Sequence, residues 1–381
     1  MTDSAAPRRH QLLVDAREFV SNRMTGIGRV LAGLLTAAAL DLQEANVVLA
    51  VGALEALPKH LAALPNVAIE PLPAGWLAAE VRMTVLSRRK ADLFISPYPK
   101  LPLLGCHCPS IHIVHDVLDL THPPYSKRLR KHFDLARLKM ALRRSNLTWY
   151  DSNWSLQETI ALTGWGGRSP KVRYPAVEER FKPENGADDQ RVLQQHGLKP
   201  GYILCIGNGL PHKNIGILLR IARQLNRPLV FAGVSESNRR HWLPLERDPR
   251  TRWISFVPEV DLPSLYRGAF CLVQPSQIEG YGYPPLEAMA CGVPAVVSHI
   301  PVLKETTGGQ ALTADPDLPG QWRIAIEALE DAGFKQALIQ QGLKWVAPMK
   351  GMAGWRRHLN DIRLFHGSFR KGTRAGNGSD V

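Results

Sequence analysis

Short apolar runs alternate with longer amphipathic stretches along this chain. Residues 11–16 (QLLVDA) predict a strand, as do 46–51, 92–96, 110–114 and 147–151. Between them, apolar positions at helical spacing predict helices over 28–40, 75–87, 126–144 and 153–162, the last opened by Ser152 or Asn153 as an N-cap. Strand and helix in this alternation call for a parallel sheet with helices on both faces.

The alternation breaks at 170–186. There Pro170, Pro175 and Pro183, with Asn185-Gly186, punctuate a polar stretch that predicts a linker or domain edge. It resumes with strands at 202–206, 228–231, 252–256, 270–273 and 295–297, and with helices at 213–225, 262–267 and 284–290. Helical patterns fill 319–346 and 351–365. The expected organisation is an α/β chain of two doubly wound, Rossmann-like domains, over 1–180 and 181–350. A helix over 351–367 is expected to pack back on the first, and 368–381 to form a disordered polar tail. Ligands of such sheets meet the carboxyl ends of the strands, and with two units the natural site is the cleft between them.

Composition narrows the classes. The 381 residues suit two cores at roughly 100–200 residues per domain. A content of 45% hydrophobic and 21% charged residues excludes a mainly disordered chain. No stretch approaches the roughly 18–20 apolar residues of a membrane span. The first apolar run ends at Asp15, too soon for a signal-peptide core, so a cytoplasmic location is expected. Five Cys are too few for a disulfide framework. Cys106 and Cys108 flank His107, but a C-x-C without a second pair is a weak zinc signature, and small buried thiols are expected.

The formal charge of +13 is unevenly placed, with a net of +8 in 1–175 and +5 in the remainder. Arg88-Arg89-Lys90 and the segment 127–144 concentrate it. Such clustering points to an anionic partner, whether a phosphorylated substrate, a membrane surface or nucleic acid.

The most informative segment is Glu279-Gly-Tyr-Gly-Tyr-Pro-Pro-Leu-Glu287, followed by Ala288-Met-Ala-Cys-Gly292-Val-Pro294. Two carboxylates lie eight positions apart, one in a Gly-rich loop after a strand and one inside the next helix. Gly280 and Gly282 allow close backbone approach to a ligand, and Pro284 or Pro285 suits a first helical turn. A helix start with free amides favours an anion such as a diphosphate, and carboxylates suit sugar hydroxyls. A second segment, Ile206-Gly207-Asn208-Gly209-Leu-Pro-His212-Lys213-Asn214, also follows a strand and opens a helix, so Lys213 is placed to meet a diphosphate.

These strings resemble the donor-site signatures of the retaining glycosyltransferases of family 4. That resemblance implies the GT-B architecture, two facing Rossmann-like domains with a cleft between them. It implies that Glu279, with the amides of Gly280, Tyr281 and Gly282, holds the transferred sugar beside Tyr283, and that Glu287 holds the ribose. Lys213 would neutralise the leaving nucleoside diphosphate. Many members carry an Arg at the position of Asn208, and His212 is expected to substitute in part.

Thr25-Gly26-Ile27-Gly28-Arg29 fails as a dinucleotide fingerprint, since no Gly stands at 31, but as a loop at a helix start it suits a phosphate or an acceptor. With Asp15-Ala16-Arg17 it resembles a subgroup of mannosyl- and rhamnosyltransferases, which places Gly28 and Arg29 at the donor or acceptor. His115-Asp116 ends a predicted strand, where a side chain can touch a sugar or organise an acceptor hydroxyl. The family often has His there, contacting the donor sugar. Ser152 matches a recurring cleft serine or a simple N-cap, and Glu259 falls where the family holds the nucleobase. In the basic segment, Lys127, Arg128, Arg130 and Lys131 lead a run of eight Lys/Arg that reads as a solvated face or as a surface attracted to anionic lipid.

The sequence therefore predicts a hexosyltransferase with His115, Lys213 and Glu279 at the reacting centre. It would retain anomeric configuration and use no metal or cofactor. Its partners would be a GDP-, UDP- or dTDP-linked sugar, a glycan or lipid-linked acceptor of cell-envelope polysaccharide, and an anionic membrane at its periphery. A nucleotide-sugar epimerase of the same fold is the alternative. A nucleic-acid binder is disfavoured, because no recognition module or basic-aromatic groove is present.

Overall fold

The computed structural model describes residues 9–20, 24–122, 128–184 and 186–372. They form two units, one running up to Ala176 and resuming at Met352, the other spanning Val177 to Gly351.

The first unit holds a seven-stranded, all-parallel sheet in the order β3-β2-β1-β4-β5-β6-β7. Its strands are β1 (His10–Asp15), β2 (Ala45–Val51), β3 (Val67–Pro71), β4 (Leu93–Ser96), β5 (Ser110–Val114), β6 (Leu147–Tyr150) and β7 (Pro170–Val172). The inner strands read as apolar runs because helices cover both faces. Helix α1 (Gly26–Asp41) starts where Thr25 Oγ1 accepts the Gly28 N–H at 2.9 Å. Helices α2 (Trp76–Arg89) and α3 (Arg128–Arg144) follow, and α4 (Asn153–Thr163) starts where Ser152 Oγ accepts the Ser155 N–H at 3.0 Å. The chain reverses its direction of travel across the sheet between β1 and β4.

The stretch expected as a linker contributes β7, which pairs with β6 through Thr148, Trp149 and Tyr150. Pro170 is its first residue on an edge strand, where a missing N–H costs no ladder bond. The edge strand β3, with Ala68 and Ile69 exposed, lacks the apolar run that marks inner strands.

From Met352 onward the helix Gly351–Gly372 belongs to the first unit, and it runs beyond the expected end at 367; residues 373–381 lie outside the described residues. Asp361 fastens it. Its Oδ2 accepts Trp149 Nε1–H at 2.9 Å and Arg173 Nε–H at 2.8 Å, and its Oδ1 accepts Lys171 Nζ at 2.8 Å and Arg173 Nη2 at 3.0 Å. Burial pushes the Asp361 carboxyl up, but Arg173 and Lys171 outweigh it and hold it below the usual carboxylate range. His358 lies edge-on to Trp149 and Trp355, and burial with the nearby Arg173 charge drives its imidazole down to about 3, so it packs as a neutral ring.

The second unit has a six-stranded parallel sheet in the order β10-β9-β8-β11-β12-β13, reversing between β8 and β11. The strands are β8 (Tyr202–Ile206), β9 (Leu229–Ala232), β10 (Arg252–Ile254), β11 (Ala269–Gln274), β12 (Ala295–Ser298) and β13 (Leu312–Ala314). Ile203, Leu218, Phe231, Val273 and Trp322 centre its core. The helix expected over 213–225 is interrupted. A tight turn at Pro211–Lys213 ends at Asn214, whose φ of 51° lies in the left-handed region and whose Nδ2 donates to the Pro316 carbonyl at 2.7 Å; the helix begins only at Gly216. The pattern over 319–346 likewise divides at Asp331, which caps a new helix by accepting the Phe334 N–H at 2.7 Å.

Asp361→Ala leaves Arg173 and Lys171 facing an apolar Trp149 site without their counter-charge. The expected loss is about 3 kcal/mol in the unfolding transition of the first unit, followed by urea denaturation at neutral pH. A carboxylate held below its usual range stabilises above that range and ceases to as pH falls through the depressed value, so the variant's deficit should shrink in acid.

Candidate active site

In the second unit the direction-reversal point lies between β8 and β11, and the loops leaving both strands meet there. The Gln277 N–H donates to the His212 carbonyl at 2.8 Å, which ties one loop to the other. After β8 the backbone turns sharply at Gly209, where φ is +70° and a Cβ would stand 2.6 Å from Val234 Cγ1; only glycine fits. This turn sets Lys213 at the carboxyl end of β8.

Lys213 Nζ donates to Glu279 Oε1 at 2.7 Å. The same oxygen accepts Gln274 Nε2 at 2.5 Å and Ser276 Oγ at 2.6 Å, so three donors converge on it. Oε2 takes part in none of the three. Glu279 is 8% exposed. Burial pushes its carboxyl up, but the charge and hydrogen bond of Lys213, with Ser276 and Gln274, outweigh burial and hold it below the ordinary value. Gln274 and Ser276 are site residues that the sequence reading missed, although a polar cluster directly after an apolar strand was their signal.

Glu287 lies on helix α6 (Tyr283–Ala290), and its Oε2 accepts the Tyr266 O–H at 2.6 Å. Tyr266 is fully buried on α5 (Leu262–Gly268) and meets Phe181 edge-on. Gly282 caps α6 with φ of +92°, and a Cβ there would stand 2.4 Å from Leu303 Cδ2. The helix start is poorer in donors than expected. Its second and third residues, Pro284 and Pro285, have no N–H, so the amides near this end are those of Gly280, Tyr281, Gly282 and Tyr283. The Tyr281 and Tyr283 rings sit edge-on, 5.0 Å between centroids.

Asn208 and Gly28 are engaged locally. Asn208 Oδ1 accepts the Leu210 N–H at 3.1 Å, closing its own turn. The Gly28 amide donates to Thr25 Oγ1 within the cap of α1. Arg29 occupies the first turn of that helix.

His115 and Asp116, in the first unit, follow β5. His115 Nδ1 lies 2.6 Å from Asp151 Oδ2 and Nε2 lies 3.0 Å from the Pro97 carbonyl. Asp116 Oδ1 accepts the Leu118 N–H at 3.0 Å, and burial pushes its carboxyl up. The same edge of the sheet carries Asp15 and Arg17 of the string noted in the sequence, together with Glu18, Glu80 and Tyr98, which were not singled out there. Arg17 forks onto Asp15 at 2.8 and 2.6 Å and reaches Glu80 at 3.0 Å; Glu18 accepts the Tyr98 O–H at 2.6 Å.

Of the basic run, Lys127 lies outside the described residues, as do the side chains of Arg128 and Arg130; Lys131 is half-buried on α3. Arg137 is no solvated cation, since it is buried against Glu80 at 3.1 Å and the Leu101 carbonyl at 2.9 Å. Leu138 and Leu142 are buried, whereas Phe133 is exposed and lies edge-on to the exposed Trp76 of α2. Among the described residues no helix is long and apolar enough to cross a membrane.

Residues 188–345 match the family model described as glycosyl transferases group 1. Over 241 residues the chain is 32% identical to O-antigen chain mannosyltransferase B of Escherichia coli, covering 60% of this chain and 63% of that protein. The chain thus spans less than two thirds of that relative's length. O-antigen chain mannosyltransferase RfbU of Salmonella typhimurium is 27% identical over 261 residues, covering 67% of this chain and 69% of that one. Sucrose-phosphate synthase from Thermosynechococcus elongatus matches in structure with a TM-score of 0.76 at 18% identity, over 96% of this chain and 100% of that one. The two Rossmann-like parallel-sheet units are those of the GT-B fold.

Glu279→Gln retains the side-chain shape and removes the charge opposite Lys213. The expected cost is about 3 kcal/mol at neutral pH, measured by chemical denaturation of the second unit. Because the Glu279 carboxyl is held low, its contribution is present above the usual carboxylate range and lost as pH falls through the depressed value. Wild type and variant should therefore converge in acid, and a pH-independent gap would contradict the ion-pair account.

Proposed function

Residues 188–345 being a group 1 glycosyltransferase domain, we propose that the chain moves a hexose, with mannose the first candidate, from a nucleotide sugar to a hydroxyl of a glycan or lipid-linked acceptor in O-antigen-type polysaccharide assembly. The observation that carries this reading is the convergence of Lys213, Gln274 and Ser276 on one oxygen of Glu279 at the carboxyl ends of β8 and β11. That arrangement sets a cation beside a carboxylate whose other oxygen is outside the three contacts, at the edge where parallel sheets bind ligands. The names of the two bacterial relatives supply the sugar and the pathway class.

In this reading the donor diphosphate lies against Lys213 and the loop amides of residues 280–283, Glu279 accepts from a sugar hydroxyl, and Glu287 accepts from the ribose. As the sugar's bond to phosphate breaks, negative charge grows on the leaving diphosphate, where Lys213 stabilises it without a divalent ion. Attack comes from the same face, so configuration is retained, and the departing phosphate oxygen takes the acceptor's proton. No side chain need become a covalent nucleophile.

Peripheral contact with the cytoplasmic leaflet belongs to the same reading. Trp76 and Phe133 are 52% and 45% exposed with rings 6.2 Å apart, and Lys131, Lys139, Arg143 and Arg144 share α3 with Phe133. Aromatic rings beside basic side chains suit an anionic bilayer surface.

A thermal-shift comparison of GDP-, UDP- and dTDP-sugars, followed by a transfer assay with the stabilising donor, tests the proposal. Lys213→Ala should lower kcat by about 100-fold or more, as expected for removal of a transition-state charge partner. Glu287→Ala should chiefly raise the KM for donor, and EDTA should leave the rate unchanged. Full activity in both variants would sink the assignment, and turnover without acceptor would identify an epimerase instead. Binding to phosphatidylglycerol vesicles but not to phosphatidylcholine vesicles checks the membrane contact.

A further inference from the structure

The imidazole of His115 has a proton acceptor at each end. Pro97 presents a carbonyl oxygen 3.0 Å from Nε2, and a carbonyl can only accept, so Nε2 must carry hydrogen. Asp151 presents Oδ2 2.6 Å from Nδ1, so a proton must lie between these atoms as well. A neutral imidazole has one N–H and cannot serve two such acceptors. Either the ring carries both protons against an ionised Asp151, or Asp151 keeps the second one.

The surroundings favour the first arrangement. Side-chain exposure is 12% for His115 and 6% for Asp151, so their attraction is little screened. Asp116 is the third ionisable group near the ring, and its charge also favours the cation. From α4, Ser155 Oγ donates to the His115 carbonyl at 2.7 Å, which fixes the backbone without affecting the ring. Burial lowers the imidazole's proton affinity, but the charge and hydrogen bond of Asp151, with smaller contributions from Asp116 and Pro97, raise it above the ordinary value.

The contacts join three neighbouring strands. His115 follows β5, Pro97 follows β4 and Asp151 follows β6, all at their carboxyl ends. Beyond Pro97 comes Tyr98, whose O–H holds Glu18 and whose ring lies 4.4 Å from Lys100 Nζ. Beyond Asp151 comes Ser152, the N-cap of α4. The imidazole therefore ties the loop at the β1/β4 reversal to the start of a helix on the far side of β5.

We infer that His115 is a doubly protonated positioning residue whose two N–H groups pin the ends of β4 and β6, and that it is not the base that receives the acceptor's proton. Its protonation stands on the two acceptor contacts and on the burial of the His115–Asp151 pair; its service to glycosyl transfer rests on the proposed reaction.

The first test needs no substrate. In the full chain labelled with 15N-histidine, the ring resonances that vanish in His115→Gln should show both nitrogens protonated at pH 7, with a titration midpoint above the ordinary 6.5. A neutral His115 ring at pH 7 overturns the inference. The second test uses Asp151→Asn, whose amide N–H can donate to a bare Nδ1 while Nε2–H still meets Pro97. That variant should hold a neutral ring, keep transfer within about threefold of wild type, and lose the decline in kcat that wild type shows as pH rises through the His115 titration. His115→Ala should lose about 100-fold in kcat, the scale expected when reacting groups are misplaced by about 1 Å. If His115 were instead the base, wild-type kcat would rise with pH through that titration and Asp151→Asn would lose several orders of magnitude; either result overturns the inference. A failure of all donors to support transfer would count against the proposed reaction and leave the spectroscopic result standing.

Discussion

Parallel strands covered on both faces leave no place for polar chemistry along their length, and this constraint organises both units. In β5 and β6 every residue is buried, and in β8 and β11 nearly every one is. Functional groups are forced to the strand ends, and at one edge of each sheet they gather where the strand order reverses. His112, in the middle of β5, is one exception. It is fully buried, neither ring nitrogen has a hydrogen-bond partner among the described residues, and burial drives it down to about 3, so it behaves as a neutral, apolar ring. Nothing in the structure explains why a histidine stands there.

Crowding polar groups at buried strand ends creates its own cost. Each desolvated ion loses several kcal/mol of hydration, which a lone Coulomb contact does not recover. The molecule answers with convergence, by bringing several donors to one carboxylate. Glu279 Oε1 receives three, Asp361 receives four hydrogen bonds from three residues, and Glu80 links Arg17, Arg137 and the Leu103 N–H. The same device serves two ends. At Asp361 both carboxylate oxygens are occupied and the result is a structural lock. At Glu279 the three donors crowd one oxygen, so the residue is held rigidly while its second oxygen stays outside the cluster. The same convergence thus serves a closed lock in one unit and a carboxylate with one oxygen outside its three contacts in the other.

The inner strands were legible from their apolar runs, and the alternation of elements sufficed for two parallel sheets. What escaped was governed by partners distant in sequence. The edge strands β3 and β7 have one flank without a neighbouring strand and so carry no continuous apolar signal. Arg137 reads as one more member of a basic run because nothing local indicates that Glu80, 57 positions away, draws it inward. The interruption at Asn214 was equally invisible, since it depends on a carbonyl 102 positions along the chain. The two prolines of α6 were visible, and their consequence for the number of available amides followed only once the helix start was located at Tyr283.

The candidate sites differ in the same respect. In the second unit, Gln274, Ser276, Glu279 and Glu287 come from one strand, loop and helix, with Lys213 the one long-range member, so a contiguous string announces the chemistry. In the first unit, His115 depends on Pro97 and Asp151, 18 and 36 positions away, and Glu18 on Tyr98, 80 positions away. A site assembled from many strand ends can change one partner at a time while the sheet holds the rest in place. A site built on one continuous segment cannot, because its turns and helix start are part of its geometry. Partners at strand ends can therefore be exchanged while the sheet stays folded, whereas a change in the Gly-rich loop or the start of α6 disturbs the fold of that unit itself.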